Sequence, residues 1–118
     1  MLTIETKLDA MARLGRAMAD PTRSRILLAL LEEPGYPARL AEDLGLSRTN
    51  VSNHLACLRG CGIIIAEPEG RRTRYEIADP HITVALENLV SVVLAVDEDI
   101  ECVDESCRAT DCCGPRDE

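Results

Sequence analysis

Aromatic side chains are almost missing from this 118-residue chain: it has no tryptophan, no phenylalanine and two tyrosines. Any core must therefore be aliphatic, and the 46% of apolar residues is enough to build one from Leu, Ile, Val, Ala and Met. Long apolar runs are missing too. No stretch approaches the roughly 18 residues of a membrane span. The opening MLTIETKLDAMARLG is charged throughout, where a secretion signal would be apolar. These absences predict a soluble, cytoplasmic protein with no membrane partner. The chain also contains no C-x-x-C, no phosphate loop and no Cys–His–acid arrangement. That argues against an enzyme, including an arsenate- or thiol-redox enzyme, and no organic cofactor is expected. No internal repeat or low-complexity linker is visible.

What is present is unevenly placed. The net charge of −8 argues against nucleic acid only if it is spread evenly. Residues 1–46 carry six basic and seven acidic groups, residues 47–78 five and three, and residues 79–118 two and eleven. The acidity is thus concentrated in the tail, and the middle third is locally basic. Net charge governs solubility and long-range attraction, while a local basic patch decides where a phosphate docks. Six cysteines complete the picture. In an intracellular protein they point to metal or redox chemistry more than to a disulfide framework.

Apolar spacing predicts a first helix over residues 4–19 and a second opened by Asp20 and Pro21, with Ile26, Leu27, Leu30 and Leu31 as its stripe. EPGYP breaks the chain. ARLAEDLGL reads as a short helix stopped near Gly45, and SRTNVSNHLACLRGCG as a helix capped by Ser47 and ended by Gly60 and Gly62. Ile63–Ala66 and Arg72–Ile77 are strand-like, with Glu69-Gly70 as the turn of a hairpin. Asp79-Pro80 caps a last helix, about 81–96, that is apolar on more faces than one small core can cover, so a partner surface is expected. The division is a folded domain over 1–97 and an acidic, cysteine-bearing, mobile tail over 98–118.

A short helix, a glycine turn, a polar-faced helix and a basic hairpin make a winged helix-turn-helix, mainly α with a small β-hairpin. In that motif the second helix enters the major groove. Its exposed face here would present Ser47, Arg48, Thr49, Asn50, Ser52, Asn53 and His54, hydrogen-bonding groups with no acid among them. Arginine pairs with guanine and asparagine with adenine. Arg71, Arg72 and Arg74 on the hairpin would meet phosphates or the minor groove. The blander reading is a solvated helix face beside a hairpin arginine cluster; each element alone permits it, and their combined order argues against it.

Two of the cysteines, Cys57 and Cys61, lie four residues apart in this helix. That spacing places their Cβ atoms roughly 5–6 Å apart on one face, which suits two thiolates on a soft cation. A disulfide needs Cβ atoms nearer ~3.8 Å. A pair of buried apolar thiols is the rival reading.

The run LGRAMADPTRSRILLALL…LAEDLGLSRTNVSNHLACLRGCGII…EGRRTRYEIAD resembles the ArsR/SmtB family of bacterial metal-sensing repressors over about residues 10–97. NHLACLRGCG, with a cysteine at 102, is most like the family's cadmium- and lead-sensing branch. The resemblance implies a homodimer, paired through its first and last helices, that leaves operator DNA on binding metal. It implies Cys57, Cys61 and Cys102 as ligands, with Cys102 reaching over from the other protomer. An all-sulfur site fits Cd(II) or Pb(II); an As(III)- or redox-sensing repressor using the same thiols is the alternative. The resemblance assigns nothing to Cys107, Cys112 or Cys113.

Two departures are informative. Tyr36-Pro37-Ala38-Arg39 lacks the cysteine pair that some members carry there. Asp79 and His81 match only half of the zinc-type site on the last helix, whose later positions fall among Val92, Val93, Leu94 and Ala95. Asp79 is therefore expected to be a cap, and His81 an ordinary first-turn residue.

Overall fold

Among the described residues, four of the five helices begin where a short polar side chain accepts a backbone N–H left over from the first turn. The computed structural model describes residues 3–97 and Asp99. In it, helix α1 (Ile4–Ala19) is capped by Thr3 and α2 (Pro21–Glu32) by Asp20, which accepts from Thr22 and Arg23 at 2.8 and 3.1 Å. Helix α4 (Arg48–Gly60) is capped by Ser47 at 3.0 Å and α5 (Pro80–Leu89) by Asp79 at 2.6 Å. Only α3 (Pro37–Leu44) lacks a side-chain cap; Pro37, with no N–H to satisfy, opens it. Asp20, Ser47 and Asp79 are thus the caps that the sequence predicts. The expectations attached to Cys102, Cys107, Cys112 and Cys113, and to the mobility of the tail, lie outside the described residues.

Helices α3 and α4 end the same way. Gly45 (φ 68°) and Gly62 (φ 81°) occupy left-handed conformations that cost an L side chain energy. At each, the next residue donates back across the last turn, Leu46 to the Ala41 carbonyl at 2.9 Å and Ile63 to the Leu58 carbonyl at 3.1 Å. This is a Schellman closure, with an apolar contact sealing it: Leu58 and Ile63 are both buried. The first closure makes the tight turn between α3 and α4. The second fixes the turn that carries Cys57 and Cys61.

Strands β1 (Ile64–Glu69) and β2 (Arg72–Ile77) pair antiparallel with Glu69 opposite Arg72 and Glu67 opposite Arg74. The two-residue turn is therefore Gly70-Arg71, one residue later than the predicted Glu69-Gly70, and β1 runs on past Ala66. Gly70 at φ 65° supplies the positive φ that such a turn needs. Gly35 adds a bridge to the free edge of β2, exchanging two backbone hydrogen bonds of 2.8 Å with Tyr75.

The core lies between α2, α3, α4 and the base of the hairpin. Ile26, Val51, Leu55, Leu58 and Ile64 are fully buried in it. Each such side chain contributes about 1.5–3 kcal/mol by leaving water. Leu40 and Ala41 of α3 close one side, and Ala17 and Leu86 are the buried residues of α1 and α5. The last helix is shorter than predicted. It stops at Leu89, and residues 92–97 have no regular structure. Periodicity suggested helix to 96, but Val90, Val92 and Val93 are β-branched and poor helix formers without a surface to pack on, and in this single chain they are exposed. The architecture is a winged helix-turn-helix: α3 and α4 form the motif, and the hairpin is the wing.

Candidate nucleic-acid interface and thiol pair

Burying Val51, Leu55 and Leu58 turns the opposite side of α4 outward. Arg48, Thr49, Ser52 and Asn53 are exposed there, together with the cap Ser47. Arg48 makes no hydrogen bond or ion pair among the described residues, so its guanidinium is available to an external acceptor. Asn50 and His54 are half-buried and flank the core stripe. The Asp20 carboxyl is held below the usual aspartate range, first by the bond from the Arg23 N–H and next by the bond from the Thr22 N–H.

The three wing arginines differ. Arg71 sits in the turn, exposed and without a partner among the described residues. Arg72 lies over the Tyr36 ring, 4.1 Å from its centroid, and 3.6 Å from Glu69. Arg74 is half-buried among three carboxylates: Glu76 at 3.2 Å, Glu67 at 3.5 Å and Glu69 at 3.9 Å. Its Nε is buried without a hydrogen-bond partner. Pairing of this kind makes Arg74 a brace inside the wing, and leaves Arg71 and the edge of Arg72 for an external anion. A concave groove runs between the wing and the start of α4, lined by Arg48, Ser52, Arg71, Arg72 and Tyr36.

The sequence pattern assigns no site role to Tyr36 or Glu69. The Tyr36 hydroxyl donates to Glu69 at 2.8 Å, and this bond lifts the phenol pKa above its ordinary value. The available clue was register: once the turn is placed at Gly70-Arg71, Arg72 stands opposite Glu69 and Arg74 opposite Glu67.

Cys57 and Cys61 close α4. Both thiols are free; Cys57 is exposed and Cys61 half-buried against the core edge. Cys61 is the C-cap residue, and its N–H donates to the Cys57 carbonyl at 3.0 Å. The Schellman closure at Gly62 locks this turn, so the two thiols are held on one rigid element. Arg13 of α1 pairs with Asp9 at 2.8 Å. The thiol donors are soft and lie four residues apart on one helix, but they are two. Among the described residues no group of three or more His, Cys, Asp or Glu could hold a metal. Cys102 lies outside the described residues. Asp79 and His81 form a cap: Asp79 accepts from both the backbone N–H of His81 and its ring Nδ1, and these two bonds hold its carboxyl below the usual range.

No helix among the described residues is long and apolar enough to cross a membrane.

Comparison with known proteins gives this geometry a family. Residues 20–66, from the α2 cap into the first wing strand, match the model of the bacterial regulatory proteins of the arsR family. The transcriptional regulator CmtR of Mycobacterium tuberculosis is 62% identical over 105 residues, covering 89% of each chain. The NMR structure of the cadmium metal-sensor CmtR from the same organism superposes with a TM-score of 0.62 at 64% identity, covering 80% of this chain and 98% of that one. A homodimeric winged helix-turn-helix DNA-binding domain of Mycobacterium bovis gives a TM-score of 0.69 at 29% identity, covering 74% of this chain and 81% of that one. With 62% identity over 89% of the length of that regulator, and with the motif helices and the wing in place, this chain belongs to the ArsR family of bacterial regulatory proteins.

Proposed function

We propose that the protein is a homodimeric repressor that binds operator DNA and releases it when a soft metal ion, Cd(II) or Pb(II), is held by Cys57, Cys61 and Cys102 of the partner subunit. One observation carries the reading. Cys57 and Cys61 sit on the last turn of the same helix whose first turns expose Arg48, Thr49, Ser52 and Asn53. Whatever pulls on the thiols pulls on the base-reading face through a rigid rod. The cadmium sensor similar to this chain supports the choice of metal, as does the preference of thiolates for soft cations.

In the proposed complex, Arg48 and Asn53 meet base edges, and Arg71 and Arg72 meet phosphates. Two copies of α4 must match half-sites about one helical turn apart. Fixing the α4 thiols to the partner's tail sets the angle between the two helices, so metal and operator binding oppose each other with one reciprocal coupling free energy.

Cadmium titration of the full chain tests this. A thiolate-to-metal ultraviolet band should rise as operator DNA is released. Cys57→Ser and Cys61→Ser should nearly abolish both. Cys102→Ser should leave weaker metal binding that no longer drives release. All three should bind operator like the wild type in the absence of metal. Release by oxidant alone, without metal, would favour redox sensing; wild-type metal response in Cys102→Ser would remove that residue from the site.

A further inference from the structure

A two-stranded hairpin on its own is marginally stable in water, yet this one must hold its arginines at a fixed place beside α4. At its base the wing is fixed by the two Gly35–Tyr75 backbone bonds. In that antiparallel bridge the next residue, Tyr36, falls beside the outward face of β2, where Arg72 and Arg74 point. Its ring then lies under Arg72 at 4.1 Å, and its hydroxyl bonds Glu69 on the far strand at 2.8 Å. One side chain, from the residue just before α3, therefore touches both strands near the wing tip.

We propose that Tyr36 is a positioning residue for DNA binding: its ring holds Arg72 at the edge of the groove shared with Arg48, Ser52 and Arg71, and its hydroxyl ties down the opposite strand through Glu69. The proposal rests on the DNA-binding reading above. A guanidinium stacks by its face and donates by its edge, so the Tyr36 contact leaves the N–H edge of Arg72 free for a bidentate phosphate. The competing Arg72–Glu69 pair is long, 3.6 Å, and both partners are exposed, at 65% and 44%. Exposed pairs of this kind are weak, so a phosphate can displace Glu69 while the ring contact stays. Without the ring, Arg72 would have to be ordered on binding, and an arginine has much rotamer freedom to lose.

The test compares wild type with Tyr36→Phe, Tyr36→Leu, Arg72→Ala and the Tyr36→Leu/Arg72→Ala pair. The probe is a duplex enriched by the wild-type protein from a randomised pool, with affinity measured across salt concentrations and Arg72 side-chain protons followed by NMR without DNA. Upfield ring-current shifts of those protons are expected in wild type and Tyr36→Phe, and lost in Tyr36→Leu. Tyr36→Leu should weaken binding about threefold to tenfold, the range of a cation–π contact. In the homodimer it removes one phosphate contact from each protomer, so it should flatten the salt dependence by up to about two units, and add nothing to Arg72→Ala. Unshifted Arg72 protons in wild type, an unchanged salt slope in Tyr36→Leu, or additive losses in the pair would each overturn the assignment. Should Tyr36→Leu fail to fold, Arg72→Lys carries the test: it keeps the charge without the stacking plane and should bind threefold to tenfold more weakly, by the same contact; wild-type affinity there overturns the proposal. A wild-type protein that enriches no duplex overturns the DNA-binding reading, and this inference with it.

Discussion

The middle of the chain and its two end helices treat their apolar residues in opposite ways. From α2 to the base of the wing, the stripe residues Ile26, Val51, Leu55, Leu58 and Ile64 have essentially no exposed surface. In α1 and α5, each helix buries one residue, while Ile4, Leu8, Met11, Val84, Leu89 and Val90 remain about half exposed or more. An apolar furrow is lined by Met18 of α1, by Leu28 and Leu31 of α2, and by Leu86, Leu89 and Val90 at the end of α5. The contrast teaches that the helix-turn-helix core is packed within one chain, whereas the end helices leave apolar side chains uncovered among the described residues. A second copy is the proposed occupant: burying those side chains also gives the valines after Leu89 something to pack on.

The comparison breaks most sharply under a core truncation. Leu55→Ala should cost about 2–5 kcal/mol of unfolding free energy, because the cavity lies where neighbours are already close-packed. Chemical denaturation measures this. Leu8→Ala, at a position 59% exposed, should change the unfolding of an isolated chain by under about 0.5 kcal/mol. A cost at Leu8 that grows with protein concentration would mark the dimer face directly.

Next in size is assembly. Leu89→Glu places a charge where the proposed interface is apolar, and should raise the dimer dissociation constant at least about tenfold, or 1.4 kcal/mol. Sedimentation velocity at micromolar concentration reads it. The variant monomer should keep its helical circular dichroism, since Leu89 is half exposed in the chain alone, and should lose operator binding because one reading head contacts one half-site. A Leu89→Glu protein that stays dimeric would move the interface elsewhere.

The same contrast explains what could be read from the sequence. Local rules predicted the helix starts and stops well: Asp20, Ser47 and Asp79 are recognisable caps, and Gly45 and Gly62 stop the two motif helices where left-handed glycines are found. Errors arose where a distant surface decides the outcome. Periodicity carried α5 to Val96 because periodicity does not know whether a partner is present; the helix ends at Leu89. Placing the wing turn one residue early hid that Glu67 and Glu69 stand opposite Arg74 and Arg72, so three arginines that look alike in sequence have three different environments. The Gly35–Tyr75 bridge joins residues forty positions apart, and no local pattern announces it. Of the candidate site, the α4 thiol pair and the outer face were legible from spacing alone, while the Tyr36–Glu69 tie depends on register.

The smallest effect separates the two regions most cleanly, because the same residue type performs the same task in each. Asp20 caps α2 in the core region and Asp79 caps α5 at the end, each accepting backbone N–H groups. Removing a cap costs about 1 kcal/mol. Asp20→Ala should take that from global stability, since α2 carries Ile26, Leu27 and Leu30 into the core. Asp79→Ala should mainly fray α5, which buries only Leu86, and so register in amide exchange of residues 80–89 more than in the unfolding midpoint. Both carboxyls are held below the ordinary aspartate range, Asp20 first by the Arg23 N–H and Asp79 first by the His81 N–H. A depressed native pKa means that the unfolded chain binds protons more readily. The stabilisation is therefore complete above the unfolded aspartate value near ~3.9, and is lost as pH falls through the lower native value. Urea unfolding at neutral pH and at steps below about pH 4 should show Asp20→Ala losing less stability on acidification than wild type, with the two curves converging at the acid end. Asp79→Ala should track the wild-type curve, because its carboxyl stabilises a helix that can fray without unfolding the core. Parallel acid curves for wild type and Asp20→Ala would mean that the Asp20 cap contributes nothing to folding, and that α2 is held by its apolar face alone.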